Sequence, residues 1–274
     1  MMKFSIVTIS FNQAPFLERA LRSVLSQTGV NVEYIVVDPG STDGSREIIE
    51  RYRPQLDHVV FEKDNGPADG LNKGFALATG DWFGYINSDD FFLPGALNQA
   101  AKAISSAPSA DCVYANGYIA DVDGKPLRRV YSTPFSARSF VWGRSLVLQQ
   151  STFIKANSFR EVGGFETENH TSWDAELLVD LSLAGMTLRP VPGFWSAFVV
   201  HPTSITGSQS HAALSVVNHE RMFRKVVGRE RTLLDLRLRR LNAYATHLMR
   251  PTRLLTRIAD RLIPGRLPHS LIAP

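Results

Sequence analysis

The stretch "WFGYINSDD", residues 82–90, decides how this chain is read. A strand-like apolar run, Trp82 to Ile86, ends abruptly in Asn87, Ser88 and two adjacent carboxylates, Asp89 and Asp90. Such an unbroken run marks a strand covered on both faces. Two like charges at its exit repel one another unless water or a cation separates them. Capping of the following helix by Asp90 is the plain account of the pair. A bound cation is the other, and the neighbouring segments bear on the choice.

Working outward, "KFSIVTIS", "VEYIVVD" and "HVVFE" are three further strands, rich in β-branched residues. Helical spacing lies between them in "PFLERALRSVLSQTG", "SREIIERY" and "PADGLNKGFALATG". "PGALNQAAKAI" follows the fourth strand as another helix, with Pro94 expected in its first turn. The alternation predicts an α/β fold: an open, mostly parallel sheet with helices on both faces. Ligands of such sheets bind at the carboxyl ends of the strands. Four strand ends carry polar groups there: Thr8 to Asn12, Asp38 to Asp43, Asp64 to Asn72, and Asn87 to Asp90. Asp38 and Asp89 each follow directly on a strand, so both belong to one edge.

No G-x-G-x-x-G follows the first strand and no G-x-x-x-x-G-K-[ST] occurs, which disfavours both glycine-rich phosphate cradles. A divalent cation, Mg²⁺ or Mn²⁺, bridging carboxylates to phosphate oxygens is the natural substitute.

After residue 110 the pattern changes. Residues 111–133 look like two strands around an Asp123-Gly124 turn. "STFIKANSFREVGGF" leads to the Gly163-Gly164 pair, "SWDAELLVDLSLAG" is a helix, and a strand-and-loop segment ends near His201. The remainder is helical and basic.

The bulk numbers set bounds. With 274 residues and 44% hydrophobic content, the chain suits one large domain, or a domain with an appendage. The lone cysteine, Cys112, permits no internal disulfide and is consistent with a reducing, cytoplasmic compartment. No apolar run reaches membrane-spanning length, and the N-terminus does not resemble a signal peptide. Charge is split: residues 1–220 hold 17 Lys and Arg against 23 Asp and Glu, a net of −6, whereas residues 221–274 hold 13 against 3, a net of +10. An acidic-leaning body and a basic arm with a separate partner are expected.

Taken together, "TISFNQAPFLERALRSVLSQ", "EYIVVDPGSTDGS", "EKDNGPADGLNKGFALATGDWFGYINSDD" and "VGGFETENHTSWDAELL" resemble the family 2 glycosyltransferases with the GT-A fold, in particular bacterial enzymes of surface-polysaccharide assembly. The resemblance runs from about residue 3 to about residue 206. It implies a GT-A domain over 1–220, with 1–110 binding the nucleotide-sugar and 111–220 shaping the acceptor site. Thr8 and Asp38 match positions that hold the base. Asn12, Ser41 and Asp43 belong to the turns beside it, and Asp69 and Asn72 to the helix lining the nucleotide and sugar pocket. Asn87 stands at the first position of the D-x-D metal signature, where an acid is usual, followed by Ser88. Asp89 matches its second acid, with Asp90 and His201 as further metal candidates. Asp174 matches the catalytic base and Glu176 is the runner-up. Pro39 departs from the family pattern and removes an N–H beside the base.

The implied reaction is an inverting transfer from a nucleoside-diphosphate sugar to a saccharide or lipid-linked acceptor. Two alternatives stand beside it: a nucleotidyltransferase on a similar fold, which would need a basic loop after the first strand, and a catalytically silent sugar-nucleotide binder. Trp173 and Trp195 are candidates to stack on a sugar and Lys73 to meet a phosphate, though core packing and a solvated helix face explain them as simply.

The basic tail, 221–274, carries Leu234, Leu238, Leu241, Ala245 and Leu248 on one helical face. Leu254, Ile258 and Leu262 continue it beyond Pro251, flanked by Arg253, Arg257 and Arg261. Over 229–266 this pattern fits an anionic membrane surface, or a stripe packed on the body or on a second subunit. It offers no nucleic-acid motif. The oligomeric state is open.

Overall fold

The computed structural model describes residues 2–201, 212–248, 255–256, 259–260, 267–268 and 270–272. The tail residues Leu254, Ile258, Leu262, Arg253, Arg257 and Arg261 lie outside them.

Four parallel strands carry the N-terminal half: β1 (Lys3–Ile9), β2 (Asn31–Val37), β3 (His58–Val60) and β4 (Trp82–Asn87). They stand in the order β3-β2-β1-β4, with Ile9 level with both Val37 and Asn87. This register brings the ends of β1, β2 and β4 to one edge. The connecting helices are α1 (Ala14–Leu25), α2 (Ser45–Tyr52) and α3 (Pro67–Leu77).

Alternation along the strands builds two cores. Phe4, Ile6, Tyr34, Val36, Trp82 and Ile86 pack on one face against Leu17 and Leu21 of α1 and Ala100 of α4 (Ala96–Ser105). Val7, Ile35, Val37, Phe83 and Tyr85 pack on the other against Leu71 and Phe75 of α3 and Leu177 and Leu181 of α7 (Trp173–Leu183). A period of two on strands and 3.6 on helices produces this sorting. Pro94 lies outside α4, because Gly95 in the left-handed region (φ 72°) turns the chain immediately before it.

The second half is mixed. β8 (Thr152–Lys155) runs antiparallel to β4 and to β6 (Cys112–Ala120), and β9 (Leu188–Val199) lies parallel to β6. The short β5 (Phe91–Phe92) pairs antiparallel with β9, and β7 (Pro126–Val130) forms the expected hairpin with β6. Parallel pairing thus dominates only the first half. Two short helices, α5 (Ala137–Val141) and α6 (Ala156–Glu161), complete the body.

The boundary expected at 220/221 falls inside a helix. α8 (Ala212–Val227) crosses it, with Met222 and Phe223 buried against Ala137, Val141 and Val179. Arg221 pairs with the buried Glu176 at 2.6 Å. The basic arm therefore begins as part of the body and continues into α9 (Leu233–Leu248).

Candidate active site

The rim is assembled from loops that hydrogen-bond to one another. Asn12, in the left-handed region (φ 53°), donates its N–H to Ser41 Oγ at 2.8 Å and accepts from Thr42 N through Oδ1 at 2.9 Å. Asp43 accepts from Ala14 N at the start of α1 and from Ser45 N and Oγ at the start of α2. Burial pushes this carboxyl upward, but these donors outweigh it and hold its pKa below the usual value. Asn12, Ser41 and Asp43 therefore clamp the loops after β1 and β2 together.

Asp38 lies completely buried at the end of β2. Its Oδ1 accepts from Gly40 N, Ser41 N and Arg46 Nε, at 3.0, 2.8 and 3.1 Å. Its Oδ2 is buried and has no partner among the described residues. Beside it, Ser10 donates its backbone N–H to Val37 O, and its buried Oγ also has no partner. Burying a lone acceptor is costly, so both oxygens are suited to an incoming donor. Ser10 was not singled out from the sequence. Thr8, on the same face but one strand repeat deeper, is fully buried and contacts Tyr34 Oη at 2.9 Å. The hydroxyl of Thr8 is thus occupied, whereas that of Ser10 is open to a partner.

On the opposite face, α3 brings Asp69 and Asn72. Asp69 accepts from Asn65 N at 2.9 Å and lies 3.7 Å from Lys73 Nζ, while Lys73 also reaches Lys63 O. Asn72 bonds both backbone groups of Phe165: Nδ2 donates to the carbonyl at 2.8 Å and Oδ1 accepts from the N–H at 2.9 Å. Its amide is committed to clamping the second half of the chain onto α3, a different task from lining a sugar pocket. Gly164 makes the approach possible: it sits at φ +79°, and a Cβ there would come within 2.7 Å of Asn72 Oδ1.

The two adjacent carboxylates diverge. Asp90 is fully buried, accepting from Val199 N at 2.9 Å and from Gln150 Nε2 at 2.7 Å. Burial, followed by the charge of Asp89, drives its pKa well above the usual range. The structure thus corrects Asp90 as a metal candidate: both oxygens point into the sheet and bind protein donors. Asn87 Nδ2 reaches toward it at 3.5 Å, leaving the buried Asn87 Oδ1 without a partner among the described residues. Ser88 is buried and ties its N–H to Ile9 O.

Asp89 instead turns to the rim, where Oδ2 lies 3.0 Å from His201 Nε2. His201 packs at a tilt against Phe16 with ring centroids 4.6 Å apart, and Arg19 donates to the Asp89 carbonyl at 3.1 Å. Among the described residues no group of three or more His, Cys, Asp or Glu gathers around one point. Asp89 and His201 are the residues that would hold a divalent cation, offering one carboxylate oxygen and one imidazole nitrogen 3.0 Å apart.

Asp174 occupies the first turn of α7. It lies near enough to Tyr85 of β4 to raise the phenol's pKa, which follows burial as the second cause. Trp173 and Leu177 share a core with Tyr85, so the first turn of α7 lies on that face of the sheet. The start of α7 is built firmly: Asn169 Oδ1 accepts from Thr171 N and Ser172 N, and its Nδ2 donates to Glu176 at 2.7 Å. Glu176 is buried on Arg221, which removes it as an alternative base. Asp174 is half-buried; burial raises its pKa, against hydrogen bonds from its own backbone N–H and that of Ala175. Trp195 is a core residue, fully buried, and Trp173 is nearly so.

The parallel half-sheet, its acidic rim and the mixed second half define a GT-A fold. The chain belongs to glycosyl transferase family 2, whose model matches residues 5–161. It is 31% identical over 182 residues to an uncharacterised glycosyltransferase of Mycobacterium tuberculosis, covering 65% of this chain and 68% of that one. A succinoglycan biosynthesis protein of Rhizobium meliloti is 30% identical over 125 residues, 45% of this chain and 36% of its own. The chain also matches an uncharacterised Nostoc glycosyltransferase at 35% identity over 109 residues, 39% of this chain, and spans 34% of that protein's length. Among solved structures, a Pyrobaculum calidifontis mannosyltransferase in complex with GDP-mannose and Mn²⁺ superposes with a TM-score of 0.63 at 21% identity, over 94% of this chain and 73% of its own.

Proposed function

We propose that the protein is a metal-dependent inverting glycosyltransferase, moving a sugar from a nucleoside-diphosphate sugar to an acceptor hydroxyl in polysaccharide or glycolipid assembly. The observation that carries this reading is the Asp89–His201 pair, 112 residues apart in sequence and 3.0 Å apart at the rim. The unpartnered oxygens of Asp38 and Ser10 support donor binding. Asp38 Oδ2 accepts a ring N–H of the base, while Gly40, Ser41 and Arg46 occupy Oδ1 of the same carboxylate.

Asp89 and His201 would hold a divalent cation, which would supply positive charge to the departing diphosphate. Asp174 takes the proton from the acceptor hydroxyl as that oxygen attacks the anomeric carbon from the face opposite the diphosphate. A raised pKa makes its carboxylate a stronger base. One displacement with no enzyme nucleophile inverts the anomeric centre. Residues 1–110 serve the donor and 111–220 the acceptor, saccharide or lipid-linked. A single, buried cysteine, Cys112, accords with a reducing compartment such as the cytoplasm.

A thermal-shift series of sugar nucleotides, each with and without Mn²⁺, tests this reading. One donor should raise the melting temperature only when metal is present. A panel in which no donor does so would overturn it, and a metal-independent shift would remove the cation from the mechanism.

A further inference from the structure

The amphipathic helix α9 is turned the unexpected way round. Its polar side meets the body: Asn242 Oδ1 accepts from Arg144 at 3.0 Å and Arg239 approaches Gly143, while Asp235, buried, is tied to Arg229 and Thr232 in the loop that leads into the helix. Its leucine stripe faces outward, with Leu234 62%, Leu238 39% and Leu241 63% exposed. None of the three belongs to an apolar cluster of the described residues. Helices of globular proteins ordinarily bury the apolar stripe and expose the polar face. A row of exposed leucines on three successive turns is a surface that another phase covers.

Charge identifies the phase. Helical spacing puts Arg237, Arg240 and the exposed Tyr244 on the same outward arc as the leucines. Neither arginine takes part in an ion pair among the described residues, whereas the nearby acids are occupied: Glu230 by Arg224 and Asp235 by Arg229. The arc is therefore apolar and cationic, with no acid. A second copy docking by the same face would set these arginines against their own counterparts, which like-charge repulsion opposes.

We propose that the outward face of α9 is a docking surface for an anionic phospholipid bilayer. The helix lies in the interface plane, with Leu234, Leu238 and Leu241 at the acyl boundary, Tyr244 at headgroup level, and Arg237 and Arg240 on lipid phosphates. The face is remote in sequence from the donor rim, so this inference stands whether or not the proposed chemistry is correct.

Co-sedimentation of the full chain with vesicles of phosphatidylcholine, alone or mixed with phosphatidylglycerol, is the test. The wild type should pellet with the mixed vesicles far more than with neutral ones, and added salt should release it. Arg237→Gln with Arg240→Gln should weaken binding by about fivefold for each arginine. Leu234→Ser with Leu238→Ser and Leu241→Ser should abolish it while leaving the circular dichroism and melting temperature nearly unchanged, because none of these side chains joins an apolar cluster of the described residues. In Tyr244→Trp, tryptophan emission should shift to the blue on adding the mixed vesicles. Wild type remaining in the supernatant, or serine variants that still pellet, would overturn the proposal. So would a lipid-free dimer in sedimentation velocity that the serine variants dissolve, which would assign the face to a second copy.

Discussion

At the scale of single residues, the site turns on how Asp89 and Asp90 avoid each other. β4 ends at Asn87 and a turn, closed by the Asp90 N–H on Asn87 O, separates the two side chains, so Asp90 binds Val199 N and Asp89 meets His201. Asp174 stands apart as the acid whose burial raises its pKa without a cation beside it. A general base works only when deprotonated. Activity should therefore fall as pH drops through this raised pKa, and the acid limb of the rate profile should begin above the ordinary carboxylate range. Asp174→Asn should lower kcat by about 10²–10⁴-fold and leave donor binding, read by thermal shift, unchanged. A variant retaining transfer would move the base elsewhere. Asp38, Asp89 and Asp174 were all legible as strand-end or helix-start acids. Ser10 was not, because on sequence alone it differs little from Thr8, two residues earlier on the same face; only the neighbouring Tyr34 hydroxyl separates them.

At the scale of elements, two polar side chains act as rivets. Asn72 joins α3 to the turn before α7 through both backbone groups of Phe165. Asn72→Ala leaves these backbone groups without their partner and should cost about 2 kcal/mol in chemical denaturation. It should reduce kcat more than it raises the donor KM, since it loosens the element carrying Asp174; a purely donor-side contact would give the reverse. Glu33 ties β2 to β1 and to the loop before β4, accepting from Lys3, Ser5 and Thr79. Burial works against the charged form, but these donors prevail and lower its pKa to about 2. A depressed carboxylate contributes stability above its unfolded-state pKa. That contribution should disappear as pH falls from the ordinary glutamate range toward 2, and Glu33→Gln should flatten this part of a denaturation-versus-pH curve. Neither rivet was visible in the sequence, because each partner lies far along the chain.

At the scale of the whole molecule, the C-terminal part is fastened back onto the body at more than one point. Asp260, nearly inaccessible, pairs with Arg129 of β7, and Leu271 is buried with Phe91, Leu93 and Tyr118. Breaking a buried ion pair from one side is costly, so Arg129→Met should lower stability by about 3 kcal/mol. It should also make the chain more open to limited proteolysis at Asp260 before the body is cut; unchanged cleavage would show that the contacts of Leu271 suffice. By itself the sequence determined the βα alternation, the two-faced parallel half-sheet and the edge where Asp38 and Asp89 emerge. Those features follow from local periodicity and from the short connections between neighbouring elements. Only the tertiary structure decided which acid of the adjacent pair turns to the rim, that His201 meets it, that Glu176 and Asn72 serve as scaffold, and that the leucines of α9 face outward. Each of these depends on a partner brought close by folding across tens of residues or more, and side-chain spacing along one element carries no record of such partners.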